Sequence, residues 1–171
     1  MAGDIYMEKN ERPKLKLPKS RFEMTFDSIT VIVFFLSIVS LVNSWIILPA
    51  EVPAHYNIEG EVDRWGSKWE ILITPIVAAL MWISMTVLEK YPHVYNYLNL
   101  RQDNVRVQYM NARLMLNVIK NIMVLFFAYI SWNNIQVALK KSESLGGSFA
   151  FIFLGALFIP MIFFIIRSLK Y

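Results

Sequence analysis

His55, Glu59 and Asp63 stand at intervals of four residues, the spacing that sets three potential metal ligands on one face of a helix. Pro53 and Gly60 disfavour a helix through that stretch, so the expectation is a hydrogen-bonded surface histidine and no metal. The surrounding segment, residues 49–68, reads PAEVPAHYNIEGEVDRWGSK and sets Glu51, Glu59, Glu61 and Asp63 against Arg64 and Lys68. Asn57-Ile58-Glu59-Gly60 has turn chemistry, and Ser67-Lys68-Trp69-Glu70 fits a capping box. An acid pair here offers the one foothold for catalysis. Against it, the histidines His55 and His93 fall on opposite sides of the membrane in the topology derived below. The chain also has no cysteine, and no phosphate-binding loop or G-x-S-x-G elbow occurs. The expectation is a non-enzymatic protein without cofactor or catalytic residue.

A second polar set lies farther along. Arg113, Asn117, Lys120 and Asn121 share one helical face by their spacing of three and four. Facing lipid, such a stripe is costly, so it turns toward neighbouring helices or a water-filled cavity. Lys120 sits about 10 Å along the helix from the cytoplasmic boundary, at 1.5 Å per residue, near enough to snorkel. Snorkelling or hydrogen bonding between helices is one reading, and a ligand role is the other. The outer loop is the denser polar set, so recognition is assigned to Pro53, His55, Asn57, Gly60, Asp63, Arg64, Trp65 and Lys68. The stripe is then a support for the bundle, and Lys120→Met should be tolerated.

The elements that must position these residues follow from composition. Of 171 residues, 56% are hydrophobic and 18% charged, where a soluble protein carries roughly 25% charged residues. Mean hydropathy is +0.43. Four apolar blocks, residues 28–48, 69–88, 114–132 and 148–166, have about the length needed to cross 30 Å of hydrocarbon as helices. The expected fold is therefore all-α: an integral-membrane four-helix bundle over residues 28–171, preceded by a basic tail at 1–27. Residues 49–68 form the outer loop, and 89–113 a cytoplasmic loop with a helical extension from about Gln102.

Lys and Arg concentrate in the tail, the second loop and the C-terminal stub, which puts both termini in the cytoplasm of a cell membrane. Basic flanks against anionic lipid account for the net charge of +4 without nucleic acid. Every acid can then be placed outside the hydrocarbon. Asp4, Glu8, Glu11, Glu23, Asp27, Glu89 and Asp103 lie on the cytoplasmic side, and Glu51, Glu59, Glu61, Asp63, Glu70 and Glu143 outside. Coupled carriers keep an acid near midplane, which makes a small transporter, or an accessory subunit of a membrane complex, the alternative reading.

Leu48-Pro49, Pro53, His55, Asn57, Gly60 and Asp63-Arg64-Trp65-Gly66-Ser67-Lys68 resemble the signature of a bacterial membrane family of unknown function. The module is similar to the N-terminal part of the SdpI immunity proteins of Gram-positive bacteria. Asn96-Tyr97, Asn104, Gln108-Tyr109 and Arg113 extend the likeness inward, so it covers roughly Leu48 to Lys120. The resemblance implies immunity to a secreted toxin, or signalling by holding a repressor at the membrane. SdpI-like proteins carry further spans after this module, and this chain is expected to lack them. Implied partners are the bilayer, a secreted peptide or envelope protein at the outer loop, and a second copy or a membrane complex.

Overall fold

The structure is a computed structural model that describes residues 7–171; Asp4 and the start of the basic tail lie outside the described residues. Four helices are long and apolar enough to cross a membrane: α1 (Arg21–Ser44), α2 (Ile73–Leu88, entered through a 3-10 segment Lys68–Leu72), α3 (Val105–Ala138) and α4 (Phe149–Leu169). Hydropathy located the spans, but local chemistry sets their ends. α1 starts seven residues before its apolar block because Ser20 and Glu23 form a capping box. The Ser20 hydroxyl accepts the Glu23 N–H at 3.2 Å, and the Glu23 carboxylate accepts the Ser20 N–H at 2.6 Å. The 34 residues of α3 make a rod of about 50 Å at 1.5 Å per residue, longer than the hydrocarbon is thick.

α3 packs against α1, α2 and α4, and its polar residues are the enclosed ones. Gln108, Asn111, Arg113, Asn117, Lys120, Asn121, Ser131, Asn133 and Asn134 are all buried, while Phe35 and Ile32 on α1, Leu80 on α2 and Ile159 on α4 are exposed. Lipid is as apolar as a leucine core, so apolar side chains gain nothing by turning inward, and polar groups must.

The structure corrects the all-α expectation at one place. Residues 49–68 hold a two-stranded antiparallel hairpin, β1 (Glu51–Tyr56) and β2 (Val62–Ser67). The register pairs Glu51 with Ser67, Pro53 with Trp65 and Tyr56 with Val62, with bulges on either side of His55. The sequence reading recognised the turn but lacked strands, because period-two alternation is obscured by the bulges and by Pro53. Asn57 closes the turn: its side chain accepts the Glu61 N–H at 2.9 Å, and its carbonyl accepts the Gly60 N–H at 3.0 Å.

Three attachments fix the hairpin to the bundle. At its base, the Lys68 ammonium donates to the Trp45 carbonyl and, at 3.3 Å, to the Leu48 carbonyl, serving the electronegative end of α1. Beneath it, Leu41, Leu48, Val52, Ile71, Ile135 and Ala138 make an apolar nucleus. At its tip, the Leu145 N–H donates to the Gly60 carbonyl at 2.8 Å, and Glu61 pairs with Ser144. Gly60 has φ +79°, and a Cβ there would lie 2.6 Å from the Gly146 carbonyl oxygen. Gly60→Ala should therefore cost more than the roughly 1–2 kcal/mol of a left-handed alanine, because the joint between the two connecting segments must also open. Thermal unfolding in detergent would show a clearly lowered midpoint, and an unchanged midpoint would refute this account of the joint.

Candidate functional site

The eight residues singled out in the outer segment divide into two groups. Pro53 and Gly60 are buried, Asn57 closes the turn, and Lys68 caps α1. His55, Asp63, Arg64 and Trp65 are exposed. The first four build the hairpin and the second four are displayed by it. His55 Nδ1 lies 2.7 Å from Asp63 Oδ1, and Arg64 donates to Glu70 at 3.0 Å and to the Ala54 carbonyl at 3.3 Å. Glu70 in turn accepts the Ser67 N–H at 3.0 Å, the expected capping-box contact. The strands dismantle the helical face that would have set His55, Glu59 and Asp63 together. Among the described residues no group of three or more metal-ligating side chains occurs. Burial pushes the Tyr56 hydroxyl up to about 12, and as a neutral donor it reaches Asn134 at 2.8 Å, tying β1 to α3.

The stripe on α3 lies at the other end of the bundle, and the structure buries all four of its residues: Asn117, Lys120 and Asn121 in one polar network with Asp27 and Glu89, and Arg113 in a separate pair with Glu23. Lys120 is fully buried and does not snorkel. Its ammonium lies 2.9 Å from Asp27, 2.7 Å from Glu89 and 3.1 Å from the Thr86 hydroxyl. It also sits 5.0 Å from the centre of the Trp82 ring. Acceptors on α1 and α2 face the side chain directly, so the inward route satisfies the charge sooner than the route to the interface. Asn117 donates to Asp27 at 2.9 Å and to Glu89 at 3.0 Å, and Asn121 donates to Asp27 at 2.8 Å. Arg113 engages both oxygens of Glu23, at 2.9 and 3.1 Å, and donates to the carbonyls of Leu17 and Pro18 at 2.6 and 2.9 Å.

Lys19 completes the network from the tail, 2.6 Å from Asp27 and 2.5 Å from Glu89. Burial alone would lower the Lys19 pKa, but its hydrogen bonds and charge contacts with Asp27 and Glu89 outweigh that and raise it above 10.5. A raised lysine pKa stabilises the fold fully below the unfolded value, and the contribution fades as pH rises through the folded value. Lys19 therefore holds its place throughout the neutral range. Three cations, Lys19, Arg113 and Lys120, balance three carboxylates, Glu23, Asp27 and Glu89.

Sequence reasoning placed those three acids outside the hydrocarbon on the cytoplasmic side and missed Asp27 and Glu89 as partners of Lys120, and Glu23 as the partner of Arg113. A signal the sequence reading did not use was the S-x-x-E pattern at Ser20, which points to Glu23 at a helix start, with Asp27 one helical turn on along the same face. Glu89 carried no comparable signal. The expectation that Lys120→Met is tolerated is reversed by the geometry. The variant leaves half-buried Asp27 and buried Glu89 to share the single cation Lys19, which strands one negative charge, and should lose about 3–5 kcal/mol, the usual cost of breaking a buried ion pair from one side. Adding Glu89→Gln should recover part of that loss, because it removes one stranded charge. Unfolding midpoints of the two variants in detergent test this; equal stability of Lys120→Met and the parent would sink the network as a structural element.

Residues 31–79 match the family described as a domain of unknown function (DUF1648). The matched segment runs from within α1 through the hairpin into α2 and leaves out the α3 stripe. Neither the curated proteins nor the solved structures contain a match to this chain.

Proposed function

We propose that this multi-pass membrane protein is a non-enzymatic recognition protein of the bacterial cell membrane. In this reading its hairpin faces outward, both termini face the cytoplasm, and the occupant of the hairpin is a secreted peptide or an envelope protein. The observation that carries the reading is the division of labour in the hairpin. Pro53, Asn57, Gly60 and Lys68 are spent on holding it rigid, while His55, Asp63, Arg64 and Trp65 are left exposed on the rigid frame. A preordered polar surface with an aromatic anchor loses little entropy on binding. The likeness of this segment to SdpI-like proteins favours immunity or signalling as the purpose of that recognition.

One feature favours a second reading, a small coupled carrier. Asp27 and Glu89 meet Lys120 inside the bundle, one helical turn from a cavity of about 240 Å³ lined by Thr30, Trp82 and Val124. The recognition reading predicts that His55→Ala or Asp63→Ala weakens the deletion-complementing phenotype about tenfold, the size of one lost charged contact, at normal abundance. The carrier reading predicts intact phenotype in both and altered solute uptake on conservative change at Asp27, such as Asp27→Asn.

Topology is tested separately. The chain has no cysteine, so Glu59→Cys should react with an impermeant maleimide on intact cells, and Lys170→Cys should react only after permeabilisation. The opposite pattern overturns the orientation.

A further inference from the structure

At the end of the bundle that holds the ion network, the tail before α1 and the turn after α2 leave a cleft of about 450 Å³. Lys16, Pro18, Glu89, Lys90, Pro92 and Arg113 are among the residues that line it. Its electrostatics depend on which charges are already spent. Glu89 is held by Lys19 and Lys120, which also hold Asp27, so two cations cancel two carboxylates. Arg113 uses four N–H donors on Glu23 and the carbonyls of Leu17 and Pro18, and a guanidinium has five. Lys16 and Lys90 are exposed, and neither has an ion pair or side-chain hydrogen bond among the described residues. Two uncompensated positive charges and a spare guanidinium N–H therefore border one cleft.

Depth narrows the choice of ligand. Lys16 precedes the first turn of α1 and Lys90 follows the last turn of α2. Both spans end here, so the cleft opens at the level of the lipid headgroups. We infer that this cleft is a binding site for a phosphate group, held by Lys16 and Lys90 with Arg113 behind them. The headgroup phosphate of an anionic lipid is the source favoured by depth, and free phosphate is the other. The site is independent of the outer hairpin and of the recognition reading.

Amine acetylation of the full chain in nanodiscs, read by mass spectrometry, tests the inference. Lys170 ends α4 near the same face and is exposed, so it reports general attraction of the bilayer for lysine. In nanodiscs containing phosphatidylglycerol, protection of Lys16 and Lys90 should exceed that of Lys170 by about fivefold or more, relative to phosphatidylcholine alone. Equal protection by millimolar inorganic phosphate in phosphatidylcholine would support the site and identify the soluble source. Protection of Lys16 and Lys90 by neither probe beyond that of Lys170 would overturn it. Lys16→Gln combined with Lys90→Gln touches no partnered group and should fold normally. Native mass spectrometry should then show phosphatidylglycerol retention falling to the level of phosphatidylcholine in that variant, and retention equal to the parent's would also overturn the inference.

Discussion

Among the described residues Lys120 pairs its charge with Asp27 and Glu89, and this pairing organises the helical bundle. An isolated ammonium in a low-dielectric interior is costly, and so is each carboxylate facing it. Together the three charges are supplied by three different segments: Asp27 by α1, Glu89 by the end of α2, and Lys120 by α3. Lys19 and the Arg113–Glu23 pair bring the total to zero. Sliding one helix by a turn would separate these partners, so the network sets the register of the bundle as well as neutralising it. Apolar packing supplies no such register inside a bilayer, because lipid competes equally for apolar surface.

The rest of the architecture answers the same constraint. α3 carries the polar residues, so it is enclosed by the other helices, while α1, α2 and α4 show apolar side chains to the surroundings. Gln108 and Asn111 extend this inward polarity by donating to the Ser168 and Phe164 carbonyls of α4. Near the network, stacked Tyr97 and Tyr109, with Arg12 over the Tyr97 ring, bind the tail and the 89–104 connection to α3.

The two ends of the bundle use charge in opposite ways. At the network end the buried charges Glu23, Glu89, Arg113 and Lys120 are paired, and two exposed lysines without ion pairs, Lys16 and Lys90, line a cleft. At the hairpin end the polar side chains are displayed on a frame fixed by glycine geometry, a lysine cap and an apolar nucleus. The display is rigid because its attachments reach α1, α3 and the connection before α4 at once. A rigid frame with exposed charge suits contact with another molecule, and a neutral buried network suits holding helices together.

Four apolar blocks near 20 residues long determined the membrane class without any tertiary information, because spanning length is a property of the chain alone. The turn at Asn57–Gly60, the Ser67–Glu70 cap and the polar face of α3 were legible for the same reason: each depends on residues within a few positions of one another. The strands of the hairpin were not legible, since Pro53 and the bulges beside His55 break the alternation that marks a strand. The direction in which Lys120 points was decided only by the fold. Snorkelling and inward pairing are equally open to the isolated helix, and the choice between them rests on Asp27 and Glu89, which stand 93 and 31 positions away in the chain. Long-range electrostatic pairing of this kind leaves no local pattern, so only the packing of three helices could reveal it.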